Sequence, residues 1–308
     1  MLPNLNRLRA IQAVIHTGSV TDAASSLGVS QPAVSMALRD CASAFGFPLF
    51  ERKQGRLQPT SEAMALMPEI ERIIDGVQRV EELAAGLRDI NVGLVRIAST
   101  PSLADNLIPH AVAQVRSSAR AIDVALYTMI NSEVVEQVST GRVDFGLVLA
   151  PIDPVDTREV DLLNSELVCV VARNHPLARL RAVAPKDLAA FPLISFNRNL
   201  PLGALISRAF HSKGIRRHID FEVSQSSSAR ALARTGVGVA IVDSFYLLGD
   251  RDRGLKHLKF TPTTVQTAKI ILPRHGRVSR PARLLLGAIR QSAARLSKEQ
   301  FGTFKSRH

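Results

Sequence analysis

Gly18-Ser19-Val20-Thr21-Asp22-Ala23-Ala24-Ser25-Ser26-Leu27-Gly28-Val29-Ser30-Gln31-Pro32-Ala33-Val34-Ser35 reads as a helix, a tight turn and a second helix. Ser30 is an N-cap candidate, because its hydroxyl can accept a backbone N–H from the first turn. Pro32 falls in that first turn, where a missing N–H costs nothing and φ is already set. Small Ala23 and Ala24 let one helix lie close on the next. Gly28 supplies the left-handed residue that ends the first helix. Two short helices joined this tightly form a helix-turn-helix, whose second helix enters the major groove of DNA. An ordinary helical hairpin in an all-α domain is the competing reading.

The following segment favours the first reading. Phe50-Glu51-Arg52-Lys53-Gln54-Gly55-Arg56-Leu57-Gln58-Pro59-Thr60 has the pattern of a short β-wing with a basic tip around Gly55. Arg52, Lys53 and Arg56 are placed to reach phosphates beside the groove. On the second helix, Ser30, Gln31, Pro32, Ser35, Met36 and Arg39 are the candidates for contact with DNA.

The chain has 308 residues, enough for two or three domains with their own cores. Its 46% hydrophobic and 21% charged content is that of a water-soluble globular protein. The net charge of +12 favours an anionic partner such as nucleic acid. Residues 1–60 carry a balance of +3, and residues 261–308 carry +9 with Glu299 as their only acid. That basic tail can bind DNA non-specifically, but a solvated helix face or frayed end is the preferred reading. The two cysteines, Cys41 and Cys169, fall in different predicted domains and have no metal-ligand spacing, so no metal or other cofactor is expected. They read as buried thiols in a reducing cytosol. The N-terminus does not read as a signal peptide, and no apolar run reaches the roughly 18 residues of a membrane span.

Beyond the wing, Leu66, Ile70, Ile73, Val77, Val80, Ala84 and Leu87 recur at heptad spacing between charged residues. An apolar stripe of about three heptads must be buried, and pairing with a second copy is favoured over packing on its own domain. Pro68 should bend this helix or mark its start. Gly93 reads as a hinge. The expected domains are therefore 1–60, a winged helix-turn-helix; 61–92, a linker and dimerisation helix with its hinge; and 93–308.

In the last of these, strands are expected at 94–98, 122–127, 143–149, 166–172, 193–196, 218–223, 237–242 and 263–272. Helices are expected at 107–115, 132–141 and 280–296. Strands alternating with helices make an α/β domain with a mostly parallel sheet. No nucleophile elbow, metal cluster or paired-carboxylate motif points to an enzyme. Gly236 and Gly238 do not complete a dinucleotide fingerprint, and His175 before Pro176 reads as a loop residue.

Ligands of open α/β sheets sit beyond the carboxyl ends of strands. That rule selects Ser99, Thr100, Pro101 and Ser102, then Thr128, Ser195 and Asn197, then Ser226, Ser227 and Asp243. The hydroxyls suit a carboxylate, and Asp243 could pair with an ammonium or guanidinium group. Ser99, Thr100 and Ser102 could equally cap the next helix, Ser226 to Ser228 could be an ordinary turn, and Asp243 could be an N-cap.

Residues 5–63 resemble the N-terminal domain of LysR-type bacterial transcriptional regulators. The resemblance runs through Gly18-Ser19, Ala23-Ala24, Leu27, Val29 to Ser35, Gly46, Pro48 to Arg52 and Thr60. Met36, Cys41, Ala42 and Ala63 depart from the pattern. Val143-Asp144-Phe145-Gly146, Asn174 to Ala178, Phe191 to Ile194 and Gly236 to Ala240 resemble that family's effector domain, which has a two-lobed, type 2 periplasmic-binding-protein-like fold. Val223 to Ala229 with Gly238 to Asp243 resemble the subgroup that senses opines, diaminopimelate and related amino acids.

The resemblance implies a cytoplasmic, non-enzymatic regulator whose partners are double-stranded promoter DNA, a small-molecule effector, further copies of the chain arranged as a dimer of dimers, and RNA polymerase, with no membrane. A cytosolic solute-binding protein and a ligand-independent architectural DNA binder remain the alternatives.

Overall fold

The computed structural model describes residues 3–53, 56–88, 92–117, 121–153, 156–248, 254–275 and 278–305. The chain forms two compact units, Met1–Arg88 and Asp89–His308.

The first unit opens with α1 (Leu5–Thr17), α2 (Val20–Leu27) and α3 (Gln31–Phe45). Glycines with positive φ end all three: Gly18 at 67°, Gly28 at 66° and Gly46 at 83°. L side chains rarely adopt that backbone, which is why glycine stands at each stop. Ala23 and Ala24 are buried between the helices with Val14 and Val34. Ser30 does occupy the N-cap position of α3, but its side chain makes no cap hydrogen bond. Strands β1 (Phe50–Lys53) and β2 (Arg56–Pro59) pair antiparallel as the wing. Its tip at Gln54 and Gly55 lies outside the described residues.

Thr60 joins the wing to α4 (Ser61–Arg88): its hydroxyl donates to the Pro48 carbonyl at 2.9 Å and accepts from the Ala63 N–H at 3.2 Å. Pro68 lies inside α4 and does not mark its start, which is fixed about two turns earlier at Ser61.

The heptad seam divides between two faces of α4. Ile70 is 3% exposed and joins Leu8, Ile11, Cys41 and Leu49 in the core of the winged unit. Leu66 packs against the same core, as does Ile74, which the heptad reading did not include. Ile70 and Leu66 thus help hold α4 to α1 and α3. Ile73 is 50% exposed and Val80 67%, while Val77 is partly buried. The side chain of Leu87 lies outside the described residues.

The second unit has two lobes built on one mixed sheet. In the first lobe the strand order is β4 (Ala121–Thr128), β3 (Val92–Ser99), β5 (Phe145–Leu149), β12 (Val265–Pro273) and the first part of β6 (Thr157–Ala172). β3 runs parallel to β4 and β5, and β12 runs antiparallel to β5 and β6. Helices α5 (Pro101–Asn106), α6 (Ile108–Ser117), α7 (Asn131–Ser139) and α10 (Arg280–Lys305) belong to this lobe.

In the second lobe, the end of β6 pairs with β10 (Val239–Asp243) and β11 (Leu255–Phe260). The sheet continues through β8 (Leu193–Phe196) to β9 (Phe221–Val223), and β11 also pairs with β7 (Ala182–Val183). Helices α8 (Pro201–His211) and α9 (Ser226–Arg234) complete it. β6 is the shared strand: its partner changes from β12 at Glu166 to β10 at Leu167, opposite Asp243.

Gly93, read from the sequence as a hinge, lies inside a strand. It pairs with Ile122 inside β3, and a Cβ there would stand 2.8 Å from Pro281 Cγ. The predicted strands and helices of this unit are present. Several elements were not expected: α5, α8, α9, β7, β11 and the first half of β6. Ser226 to Ser228 are the first turn of α9 rather than a free turn.

Candidate functional site

α3 buries Val34 and Cys41 against the rest of the winged unit. The same periodicity turns Gln31, Pro32 and Met36 outward and leaves Ser35 and Arg39 at or near the surface, with Ser30 exposed at the helix start. Gln31 donates from Nε2 to Ser35 Oγ at 3.1 Å, so both side chains are held on the outer face. Arg7 pairs with Asp40 at 2.6 Å and ties α1 to the end of α3. On the wing, Arg52 is exposed, and Lys53 lies 2.6 Å from Glu51 at the surface. The Arg56 side chain lies outside the described residues. The arrangement is a convex helix face rich in hydrogen-bonding groups, beside a basic ribbon. That form suits a major groove and its flanking phosphates.

In the second unit the predicted residues fall into two groups. Ser99 ends β3, Thr100 precedes α5, and Pro101 and Ser102 begin it. Ser99 lies beside Thr128 in the β3–β4 register. Asp243 ends β10 at the crossing between lobes, and its carboxylate collects three donors. Ser102 Oγ, from the first lobe, donates to Oδ2 at 3.0 Å. Ser226 Oγ, from the second lobe, donates to the same oxygen at 2.7 Å. The Phe245 N–H donates to Oδ1 at 3.1 Å, a local cap of the short helical turn Ser244–Leu248.

Asp243 is fully buried, and no cation faces it among the described residues. Burial pushes its pKa up, against the hydrogen bonds from Ser226, Ser102 and Phe245, which lower it. Asp243 is therefore both a cap and a link between lobes.

The hydroxyls near α5 do not cap it. Ser99 Oγ donates to the Thr100 carbonyl, Ser102 serves Asp243, and Thr100 Oγ1 is buried with no hydrogen-bond partner among the described residues. Ser195 is buried on β8. Asn197 Nδ2 donates to Glu222 at 3.0 Å, and no hydrogen bond among the described residues brings Asn197 to the Asp243 cluster. Ser227 is exposed on the first turn of α9.

One pair escaped the sequence reading: Ser165 on β6 and Ser244 after Asp243 are buried with their Oγ atoms 2.5 Å apart. Ser244 gave a weak signal, since it adjoins Asp243; Ser165 gave none. Surface hollows of about 620 and 470 Å³ lie elsewhere, beside His110 and Arg295 and beside Arg173 and His175, and no predicted effector residue lines them.

Cys41 and Cys169 are free and buried, and burial pushes the Cys169 thiol up to about 12. His175 caps a short helical turn by accepting from the Leu177 N–H at 3.2 Å. No cluster of metal-ligating side chains occurs among the described residues, nor any helix long and apolar enough to cross a membrane.

Comparison with known proteins agrees with both units. Residues 5–64 match the family described as bacterial regulatory helix-turn-helix protein, lysR family. Residues 89–294 match the LysR substrate binding domain. The transcriptional activator protein LysR of Escherichia coli is 30% identical over 285 residues, covering 92% of this chain and 90% of that protein. The octopine catabolism/uptake operon regulatory protein OccR of Rhizobium meliloti is 32% identical over 244 residues, covering 78% of this chain and 80% of that protein. Among solved structures, full-length CbnR complexed with its target DNA superposes with a TM-score of 0.76 at 21% identity, covering 94% of this chain and 99% of that one. A winged helix-turn-helix and a two-lobed domain in this order, matched along nearly the whole chain, leave one assignment: the protein belongs to the LysR family of DNA-binding transcriptional regulators, with a substrate-binding domain as its second unit.

Proposed function

We propose that this regulator reads promoter DNA as an oligomer and is switched by a small metabolite held between the lobes of its second unit. The observation that carries the DNA contact is the division of α3 into a buried Val34–Cys41 face and an outward face with Gln31, Pro32, Ser35, Met36 and Arg39. Gln31 and Ser35 read base edges. Met36 offers apolar contact where a polar group would give a hydrogen bond. Arg39 joins them on the recognition face, and Arg52, Lys53 and Arg56 hold phosphates. The part of α4 with exposed Ile73 and Val80 and half-buried Val77 pairs two copies, and two such pairs make a tetramer.

The effector class is an amino acid or an opine. Support comes from Asp243, a buried carboxylate that no cation faces among the described residues, from the unpartnered Thr100 hydroxyl, and from the similarity to OccR. A ligand ammonium would supply the missing charge, and a ligand carboxylate would take the Thr100 hydroxyl. A metabolite alters DNA binding only through unequal affinity for two arrangements of the assembly. The reading places the chain in the bacterial cytoplasm, without catalytic activity, and allows contact with RNA polymerase at the promoter.

A footprint on DNA upstream of the protein's own gene, with and without basic amino acids and opines, tests this. A protected site that shortens or shifts with one compound is the expected result. Protection unchanged by every compound overturns the effector class, and no protected site overturns the operator reading.

Two substitutions separate base reading from phosphate grip. Gln31→Ala is expected to cost about 1–3 kcal/mol on the operator and little on random duplex. Equal loss on both would assign Gln31 to the backbone. Arg52→Ala is expected to weaken binding to all sequences alike and to reduce the slope of log affinity against log salt by about 1. Filter binding across a salt series measures both.

A further inference from the structure

The winged segment accounts for little of the chain's positive charge. Residues 1–60 carry +3 of the total +12, while residues 261–308 carry +9. Residues 253–298 contain no aspartate or glutamate.

The structure collects part of this charge on one face. α10 buries Leu285, Ile289, Ala293 and Leu296 in the core of the first lobe, which fixes its rotation. Arg280, Arg283, Arg290, Arg295 and Lys298 are all exposed. Their spacing keeps them on the side away from that core, along about 27 Å of helix.

Some cations of this unit meet acids: Lys269 lies 3.1 Å from Glu159, Arg217 lies 3.2 Å from Asp220, and Arg274 lies 3.8 Å from Asp156. Arg280, Arg283, Arg290 and Lys298 have no carboxylate partner among the described residues; Arg283 donates one N–H to the Val278 carbonyl at 3.0 Å. α6, which packs along α10, contains no acid and adds exposed Arg116. A rigid row of cations without counter-charges is a surface for a linear polyanion.

We propose that the outer face of α10 is a second contact surface for duplex DNA, held through phosphates without reading bases. This rests on the regulator reading, which brings duplex DNA to the protein. A stripe of this length spans about eight base-pair steps along the duplex axis. Guanidinium groups suit phosphate oxygens, because their planar forks donate two parallel N–H bonds. A lipid surface fits less well. Helices that lie on membranes expose an apolar strip beside the basic one, whereas Leu284, Leu285, Leu286, Ile289 and Leu296 of α10 pack in or against the core.

The test uses the full-length chain and a random-sequence duplex titrated across a salt series. Replacing Arg280, Arg283, Arg290 and Lys298 together by glutamine is expected to lower the salt slope by about 3–4 and to weaken binding at low salt by at least ~10-fold. An equal loss of charge elsewhere, by glutamine at Arg179, Arg181, Lys186 and Lys213 on the second lobe, is expected to leave the slope unchanged. Arg→Lys replacements at the three arginines are expected to retain it.

The proposal fails if the α10 variant keeps the slope of the unsubstituted chain. It fails equally if both glutamine sets reduce the slope alike, since net charge alone would then be acting. Loss of binding to phosphatidylserine vesicles with unchanged binding to duplex would replace DNA by a membrane. If the fourfold variant melts early, Arg290→Gln and Lys298→Gln taken singly should each lower the slope by about 0.9. The regulator reading is judged separately, by the preference of the unsubstituted chain for operator over random duplex.

Discussion

Ile73→Asp is expected to convert the protein to a folded monomer that binds its operator on the order of a hundredfold more weakly. Ile73 is half exposed on α4, so a carboxylate there meets water in the single chain. In a paired helix the same carboxylate enters an apolar seam beside its own copy, where burial and like-charge repulsion both oppose association. Losing the second reader removes the effective-concentration gain of two linked contacts, which amounts to about 10²–10⁴.

Ile74→Asp is the informative neighbour. Ile74 is 8% exposed and packs in the winged core with Ile70 and Leu49. A charge there is expected to melt the first unit rather than to yield a folded monomer. Light scattering and thermal melting of the two variants check both outcomes. An Ile73→Asp chain that stayed fully oligomeric would remove α4 from the interface.

Asp243→Ala is expected to be the most damaging single change in the second unit. It strips partners from the hydroxyls of Ser102 and Ser226 and from the Phe245 N–H, all beside a buried position. A buried donor left without an acceptor costs about 1–3 kcal/mol, and Ser102 and Ser226 come from opposite lobes. Asp243→Asn keeps an acceptor and removes the charge, so it separates hydrogen bonding from electrostatics.

The natural chain and the Asp243→Asn variant should also differ in pH dependence. Burial raises the Asp243 pKa above its ordinary 3.8. In the window upward from 3.8 the folded chain therefore holds a proton that the unfolded chain has released. Its contribution to stability is fully present below that window, falls as pH rises through it, and is level above the raised folded value. An amide at this position does not titrate and has no such slope. Denaturant unfolding across acidic pH is expected to show the natural chain losing stability relative to Asp243→Asn as pH rises; a constant difference would contradict the burial argument. In a reporter strain, replacing Ser99, Thr100 and Asp243 together by alanine is expected to abolish the metabolite response. An unchanged response would move the effector site elsewhere.

Much of the architecture was legible because local chemistry announced it. Glycines stood where left-handed residues stop helices, and apolar runs marked β3, β4, β5, β8 and β10. The elements that escaped were those stabilised by partners distant in sequence. The first half of β6, residues 157–166, is polar and largely exposed, and it is a strand because β12 pairs with it. β11 reads Leu-Lys-His-Leu-Lys-Phe, and its charges hid a strand whose Leu255, Leu258 and Phe260 are buried. α9 opens on three serines that resemble a turn, yet Ala229 and Ala233 seat it on the core.

The helix-turn-helix, the wing, the order of the two units and the outward face of α3 could be read from the residues alone, because each depends on neighbours close along the chain. How the α4 stripe divides and what Asp243 does emerge from contacts between residues distant in sequence. Ile70 and Ile73 share a heptad pattern, and only the position of α1 and α3 shows that one is buried within the chain and the other left open. Ser102, Ser226 and Asp243 are far apart in sequence. They meet because β6 and β10 carry the chain across both lobes at the point where a buried carboxylate needs donors.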